Sequence, residues 1–142
     1  MPHQPVHILL VEDDYIDAEN ILRFFQHHHV TNPCTHVIDG VDALNVLRGE
    51  GGYTRLSRPY LILLDINMPR MNGLEFLQAL RRDPELKRSV VFVLTTSMRD
   101  EDIVAAYNAQ IAGYILKSKV SEDFFEFLKL LNLYQVIVEM PR

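Results

Sequence analysis

Apolar residues in this chain come in short runs that end on polar or charged positions, with longer stretches between them in which apolar residues recur every three or four places. One run covers residues 6–11 and stops at Glu12-Asp13-Asp14. Another, Leu61-Ile62-Leu63-Leu64, stops at Asp65. Continuous apolar runs of this length predict strands buried on both faces, the kind found in parallel sheets. Residues 90–95 form a third such strand, rich in β-branched side chains. Shorter strands are predicted around residues 35–38 and, after Gly113, over residues 114–116. The stretches between them carry helical spacing. Ala18, Ile21, Leu22 and Phe25 share one face, with Asp14 or Asp17 near the helix start. Ala43, Leu44 and Leu47 follow the turn signal Asp39-Gly40. Leu74, Leu77 and Leu80 lie between Gly73 and the stop signal Asp83-Pro84. Ile103, Val104 and Tyr107 follow Asp100, and Phe124, Leu128 and Leu131 follow the cap Ser121-Glu122-Asp123.

Five strand–helix units in alternation imply an α/β fold, a five-stranded parallel sheet with helices on both faces. Right-handed crossovers restrict the topology, and the flavodoxin-like order 2-1-3-4-5 is one common solution. In that order the first and third strands are neighbours, and Asp13 faces Asp65 across a few ångströms. Ligands in open α/β sheets bind at the carboxyl ends of strands, where both aspartates fall. A long loop over residues 49–59, with Gly49, Gly51 and Gly52, allows a surface excursion before the third strand.

Burying a carboxylate beside a strand end is too unfavourable to serve packing alone. Glu12, Asp13 and Asp65 brought together repel, and a divalent cation relieves the repulsion. The donors are all oxygens with no Cys or His adjacent in sequence, so Mg²⁺ fits far better than zinc. Asn67, two residues past Asp65, offers a further oxygen. Mg²⁺ held by few carboxylates keeps waters and collects phosphate oxygens. Thr95 closes the fourth strand with a hydroxyl, and Lys117 closes the fifth with an ammonium. Carboxylate nucleophile, metal, hydroxyl and ammonium together can form an aspartyl phosphate.

Four motifs, Leu9-Leu10-Val11-Glu12-Asp13-Asp14, Leu63-Leu64-Asp65-Ile66-Asn67-Met68-Pro69 with Gly73 following, Val93-Leu94-Thr95-Thr96-Ser97 and Gly113-Tyr114-Ile115-Leu116-Lys117, carry a resemblance to the receiver domains of two-component response regulators. The resemblance spans residues 6–131 and implies roles for individual positions. Asp65 becomes the phosphoacceptor and Asp13 the main metal carboxylate. Glu12 acts on the ion through water, and Asn67 through its backbone carbonyl. Thr95 and Lys117 contact the phosphoryl group, and Tyr114 is the switch aromatic that turns inward with Thr95. Asp14 matches no site position and reads as a helix cap. The implied activity is Mg²⁺-dependent acceptance of a phosphoryl group from a sensor histidine kinase, followed by signalling through protein contacts rather than turnover of a substrate.

Departures from the family pattern are also present. Ser118 stands where the family usually has proline, and Thr96 where a smaller residue is common. With the long loop over residues 49–59, these features resemble the small receivers partnered with phytochrome-type sensor kinases. Residues 132–142 form a tail with Leu133, Tyr134, Val136, Ile137 and Val138, too short for an output domain and suited to a homodimer arm.

Composition narrows the alternatives. At 142 residues and 48% hydrophobic content the chain suits one core, and a net charge of −5 gives no general attraction to nucleic acid or anionic membrane. No apolar stretch approaches the roughly 18 residues a bilayer-spanning helix needs, and the N-terminus lacks a signal core. Cys34 is the only cysteine, which suits a reducing cytoplasm and a packing role. His27-His28-His29 and Arg81-Arg82 read as solvated helix ends. A binding module that is never phosphorylated is the main alternative function. A phosphohydrolase with an aspartyl nucleophile is weaker, because Asn67 replaces its usual second carboxylate. A flavin-binding module is disfavoured because Glu12-Asp13-Asp14-Tyr15 would repel a phosphate.

Overall fold

The computed structural model describes residues 6–27, 30–66, 68, 71–95 and 108–116. The elements in chain order are β1 (His7–Val11), α1 (Tyr15–His27), β2 (Cys34–Val37), α2 (Gly40–Arg48), β3 (Tyr60–Asp65), α3 (Gly73–Arg82), β4 (Val90–Thr95) and β5 (Gly113–Leu116). The five strands form one sheet in the order β2-β1-β3-β4-β5, with every neighbouring pair parallel. This is the predicted order, with β1 and β3 side by side. The second strand ends at Val37, and Ile38 is 40% exposed instead of completing it. The helices expected after Asp100 and Ser121, His28 and His29, and the tail over residues 132–142 lie outside the described residues. Among the described residues no helix is long and apolar enough to cross a membrane.

The sheet is apolar on both faces, as its unbroken runs require. Leu9, Val11, Ile62, Leu64, Val91 and Val93 pack on one side with Ala43 and Leu47 of α2 and Phe76, Leu77 and Leu80 of α3. Ile8, Leu10, Leu61, Leu63, Phe92 and Leu94 pack on the other with Ala18, Ile21 and Phe25 of α1. The period-two alternation of a strand sends successive side chains to opposite layers, which makes every position of β3 core. Leu22 departs from expectation: it lies on the flank of α1 at 36% exposure. Cys34 packs against the α1 layer, and burial pushes its thiol up to about 11, leaving it protonated and inert.

Local signals set the helix ends. Asp14 Oδ1 accepts from the N–H groups of Ile16 and Asp17 at 2.8 and 3.1 Å, so Asp14 is the cap of α1. Asp39 caps α2 by accepting from the Asp42 N–H at 2.9 Å, which makes the predicted Asp39-Gly40 turn a helix start. Asn72 and Glu75 form a reciprocal capping box on α3. Gly49 ends α2 at φ 71°, in the left-handed region, and the loop it opens folds back onto the domain. The Leu56 N–H donates to the Val46 carbonyl at 3.0 Å and the Leu56 side chain is buried.

Arg81 overturns its reading as a solvated helix end. Its guanidinium donates to the carbonyls of Ala109, Lys87, Ser89 and Gln110 at 2.7–2.8 Å. It therefore ties α3 to the segment entering β4 and to the segment preceding β5. Burial lowers the guanidinium from its ordinary value, opposed by the nearby Tyr60, yet it stays charged at any neutral pH. Truncation to Met would strand these carbonyls. Arg81→Met is expected to lose about 2–4 kcal/mol in urea unfolding, with Arg82→Met, on the exposed side, losing less than about 0.5 kcal/mol.

Candidate metal and phosphoryl site

Parallel pairing alone gathers the acidic residues. Val11 of β1 is in register with Leu64 of β3, so the residues just past each strand emerge side by side at the carboxyl edge. Glu12, Asp13 and Asp65 bring carboxylate oxygens within 4.8 Å of one another. Glu12 is fully buried at 0% exposure, Asp65 is 4% exposed, and Asp13 is half-buried. On the other side of β3, Asp65 is in register with Leu94, and Thr95 ends β4 one residue further, also buried. Thr95 in turn pairs with Leu116, the last residue of β5. Tyr114, half-buried in β5, packs against the core layer that contains α2 and α3.

Three carboxylates this close repel by about 3–4 kcal/mol per pair at an effective dielectric near 20. The fold holds them there with backbone hydrogen bonds. The Glu12 N–H donates to the Val37 carbonyl at 3.0 Å, and Glu12 Oε2 accepts from the Asp14 N–H at 3.3 Å. Beyond β3, the Ile66 N–H reaches the Leu94 carbonyl at 3.4 Å, and the Gly73 N–H donates to the Ile66 carbonyl at 2.8 Å. An all-oxygen acidic set, partly buried and pre-positioned, fits a hard divalent cation. Carboxylate oxygens, a buried hydroxyl and a cation are what phosphoryl transfer needs.

The structure thus brings together Glu12, Asp13, Asp65 and Thr95 at adjoining strand ends and places Tyr114 on the neighbouring strand. Asn67, Lys117, Thr96, Ser97 and the Lys117–Ser118 bond lie outside the described residues. Two supporting residues have roles that sequence reasoning misses. His36 Nε2 stands 2.7 Å from the Glu12 carbonyl oxygen, and the His36 ring meets Tyr15 edge-on at 6.1 Å. It steadies the backbone that presents Glu12 and Asp13, but a lone histidine in a weak strand carries no such signal. Gly73 belongs to a motif by sequence, and its reason is spatial: a Cβ there would lie 2.6 Å from Ile66 Cα and 2.8 Å from the Asp65 carbonyl oxygen.

Known proteins share both the sequence and the architecture. The family model described as "Response regulator receiver domain" matches residues 8–129. The response regulator Rcp1 of Synechocystis sp. (strain ATCC 27184 / PCC 6803 / Kazusa) is 35% identical over 125 residues, which cover 88% of this chain and 85% of Rcp1. The crystal structure of the Mn(2+)-bound form of Rcp1 superposes with a TM-score of 0.79 at 33% identity, covering 97% of this chain and 100% of that one. The phosphorylated cyanobacterial phytochrome response regulator RcpA superposes with a TM-score of 0.81 at 36% identity, covering 98% and 100% of the two chains.

Proposed function

This chain belongs to the response regulator receiver domain family, and we propose that it is a phosphoacceptor switch that takes a phosphoryl group from a sensor histidine kinase onto Asp65. The observation that carries this is the convergence of Glu12, Asp13 and Asp65 within 4.8 Å at adjacent strand ends, beside Thr95. Asp65, closing β3, is the carboxylate nearest Thr95 in the sheet and serves as nucleophile. One of its oxygens forms the new O–P bond in line as the N–P bond of a phosphohistidine breaks, and the imidazole leaves with the electron pair.

In this reading Asp13, Asp65 and the Asn67 carbonyl would hold Mg²⁺ directly, and Glu12 would act on it through water. When bound, Mg²⁺ neutralises the phosphoryl oxygens that approach an acidic pocket. Thr95 donates its hydroxyl to a phosphoryl oxygen, and Lys117, next in the chain after the Leu116 partner of Thr95, supplies the ammonium. Phosphorylation adds about −1.5 to −2 charge at pH 7. The new oxygens draw Thr95 and Lys117 toward Asp65, and Tyr114 moves inward against the layer it already touches.

The Mn(2+)-bound Rcp1 and phosphorylated RcpA structures support a divalent cation and a phosphorylated state among relatives. RcpA is a phytochrome response regulator, which supports a phytochrome-type kinase as donor. The receiver is assigned to residues 6–131, with residues 132–142 as an arm for a homodimer through the C-terminal face. In this reading the protein is a cytoplasmic, non-enzymatic signalling component that contacts neither nucleic acid nor membrane. The test is intact mass after incubation with acetyl phosphate. A gain of one phosphoryl group that requires Mg²⁺ and disappears with a chelator is expected. A folded protein that gains nothing in either condition would instead be a binding module that is never phosphorylated.

A further inference from the structure

The end of the sheet opposite Asp65 carries the reverse charge. Tyr60 opens β3 and Ser89 immediately precedes β4, so both stand about 16 Å from the phosphoryl site by the length of β3. A cavity of about 270 Å³ opens there, lined by Arg55, Arg58 and Arg88 with Glu85 as its one acid. Its wall is locally cationic although the whole chain carries −5. The loop over residues 49–59 builds this cavity, since it supplies Arg55 and Arg58 from the fold-back anchored at Leu56.

The hydrogen bonding leaves charge as the means of recognition. Ser89 Oγ donates to the Leu86 carbonyl at 2.7 Å, so the Tyr60 hydroxyl donates to Ser89 Oγ at 2.7 Å and both protons face inward. Tyr60 and Ser89 are buried at 5% and 8% exposure and form a fixed wall. Arg58 holds its place by donating to the Glu85 carbonyl. Arg55 reaches a Glu85 carboxylate oxygen at 3.2 Å, in a pair exposed on both sides. Such a pair is worth little and exchanges readily. Among the described residues Arg88 has neither an ion-pair nor a hydrogen-bond partner. Guanidinium forks match the oxygens of phosphate and carboxylate groups, and Glu85 already shows a carboxylate in contact with Arg55.

We propose that Arg55, Arg58 and Arg88 form a binding site for a small oxyanion, the phosphate or carboxylate group of a small-molecule ligand, with Glu85 as the internal anion it displaces. This site is separate from Asp65, so its test runs without Mg²⁺ and with the Asp65→Asn protein in parallel. The full chain is titrated with inorganic phosphate, with succinate, and with sodium chloride at matched ionic strength, while the arginine Nε–H signals are followed by NMR. Saturable shifts at Arg55, Arg58 and Arg88 are expected with phosphate or succinate, and the tighter of the two identifies which group the ligand carries. Arg88→Gln, at an exposed residue that anchors nothing else, should weaken binding about tenfold, the worth of one charge-assisted hydrogen bond. Glu85→Gln should strengthen it. Shifts that chloride reproduces, or that persist unchanged in Arg88→Gln, overturn the proposal.

Discussion

Asp65→Asn is expected to abolish phosphoryl uptake from acetyl phosphate completely while making the metal-free protein more stable. Loss of the nucleophile explains the first effect. The second arises from the carboxylate cluster, in which Asp65 sits within 4.8 Å of Glu12 and Asp13 at 4% exposure. Replacing one charge by a neutral amide of the same shape removes two repulsive pairs, each about 3–4 kcal/mol before solvent and protonation relieve it. A net gain of about 1–3 kcal/mol is expected, or roughly 3–10 °C in Tm for a domain of this size. Mg²⁺ should raise the Tm of the wild type and raise that of Asp65→Asn much less, because the binding energy comes from the charges that repel in its absence. Thermal melts of both proteins with EDTA and with Mg²⁺ check this. A variant less stable than wild type in EDTA would show that Asp65 is held chiefly by attractive contacts.

Gly73→Ala is expected to be the most disruptive single-methyl change among the described residues. The added carbon would meet Ile66 Cα at 2.6 Å, the Asp65 carbonyl oxygen at 2.8 Å and the Ile66 carbonyl oxygen at 3.1 Å. These are backbone atoms, with no rotamer to yield, so either α3 must lift or the chain after β3 must move. The backbone of Gly73 is not in the left-handed region, and the demand is for space alone. A loss of about 3 kcal/mol in denaturant unfolding is expected. The displacement falls on Asp65 itself, and Mg²⁺ affinity should drop with stability. Gly52→Ala is the natural control, since nothing lies within 4 Å of its added carbon, although its φ of 86° adds strain of its own. If Gly73→Ala retained wild-type Mg²⁺ affinity, the close approach of α3 would not be what positions Asp65.

Both expectations rest on one feature of parallel sheets: the residues at the carboxyl ends of buried strands are delivered to a common edge. That makes Glu12, Asp13, Asp65 and Thr95 legible, because each ends or succeeds an apolar run whose direction is fixed by the alternation of strands and helices. The strand order needs a choice among right-handed solutions, and the structure has the order that places β1 beside β3. The helix cap Asp14 is local, bonding within three residues, so residue type alone points to it. The boundaries of β2 are less legible, since only Val37 of its four residues is buried and a weak strand has a weak pattern.

The sequence by itself therefore determined the five strands, the three helices among the described residues, and the delivery of Glu12, Asp13, Asp65 and Thr95 to the strand ends. These depend on period, run length and neighbours within one turn. The tertiary structure alone decided how distant segments meet. Arg81 looks like any charged helix end until the carbonyls of Ala109 and Gln110, 28 and 29 residues away, converge on it. His36 acquires meaning only because β2 lies beside β1 and presents its ring to the Glu12 carbonyl. The loop over residues 49–59 reads as a surface excursion, yet it returns to α2 and carries Arg55 and Arg58 to Glu85. Contacts of this kind join residues far apart in the chain, and no local pattern records them, because their energy exists only once the sheet has brought the partners together.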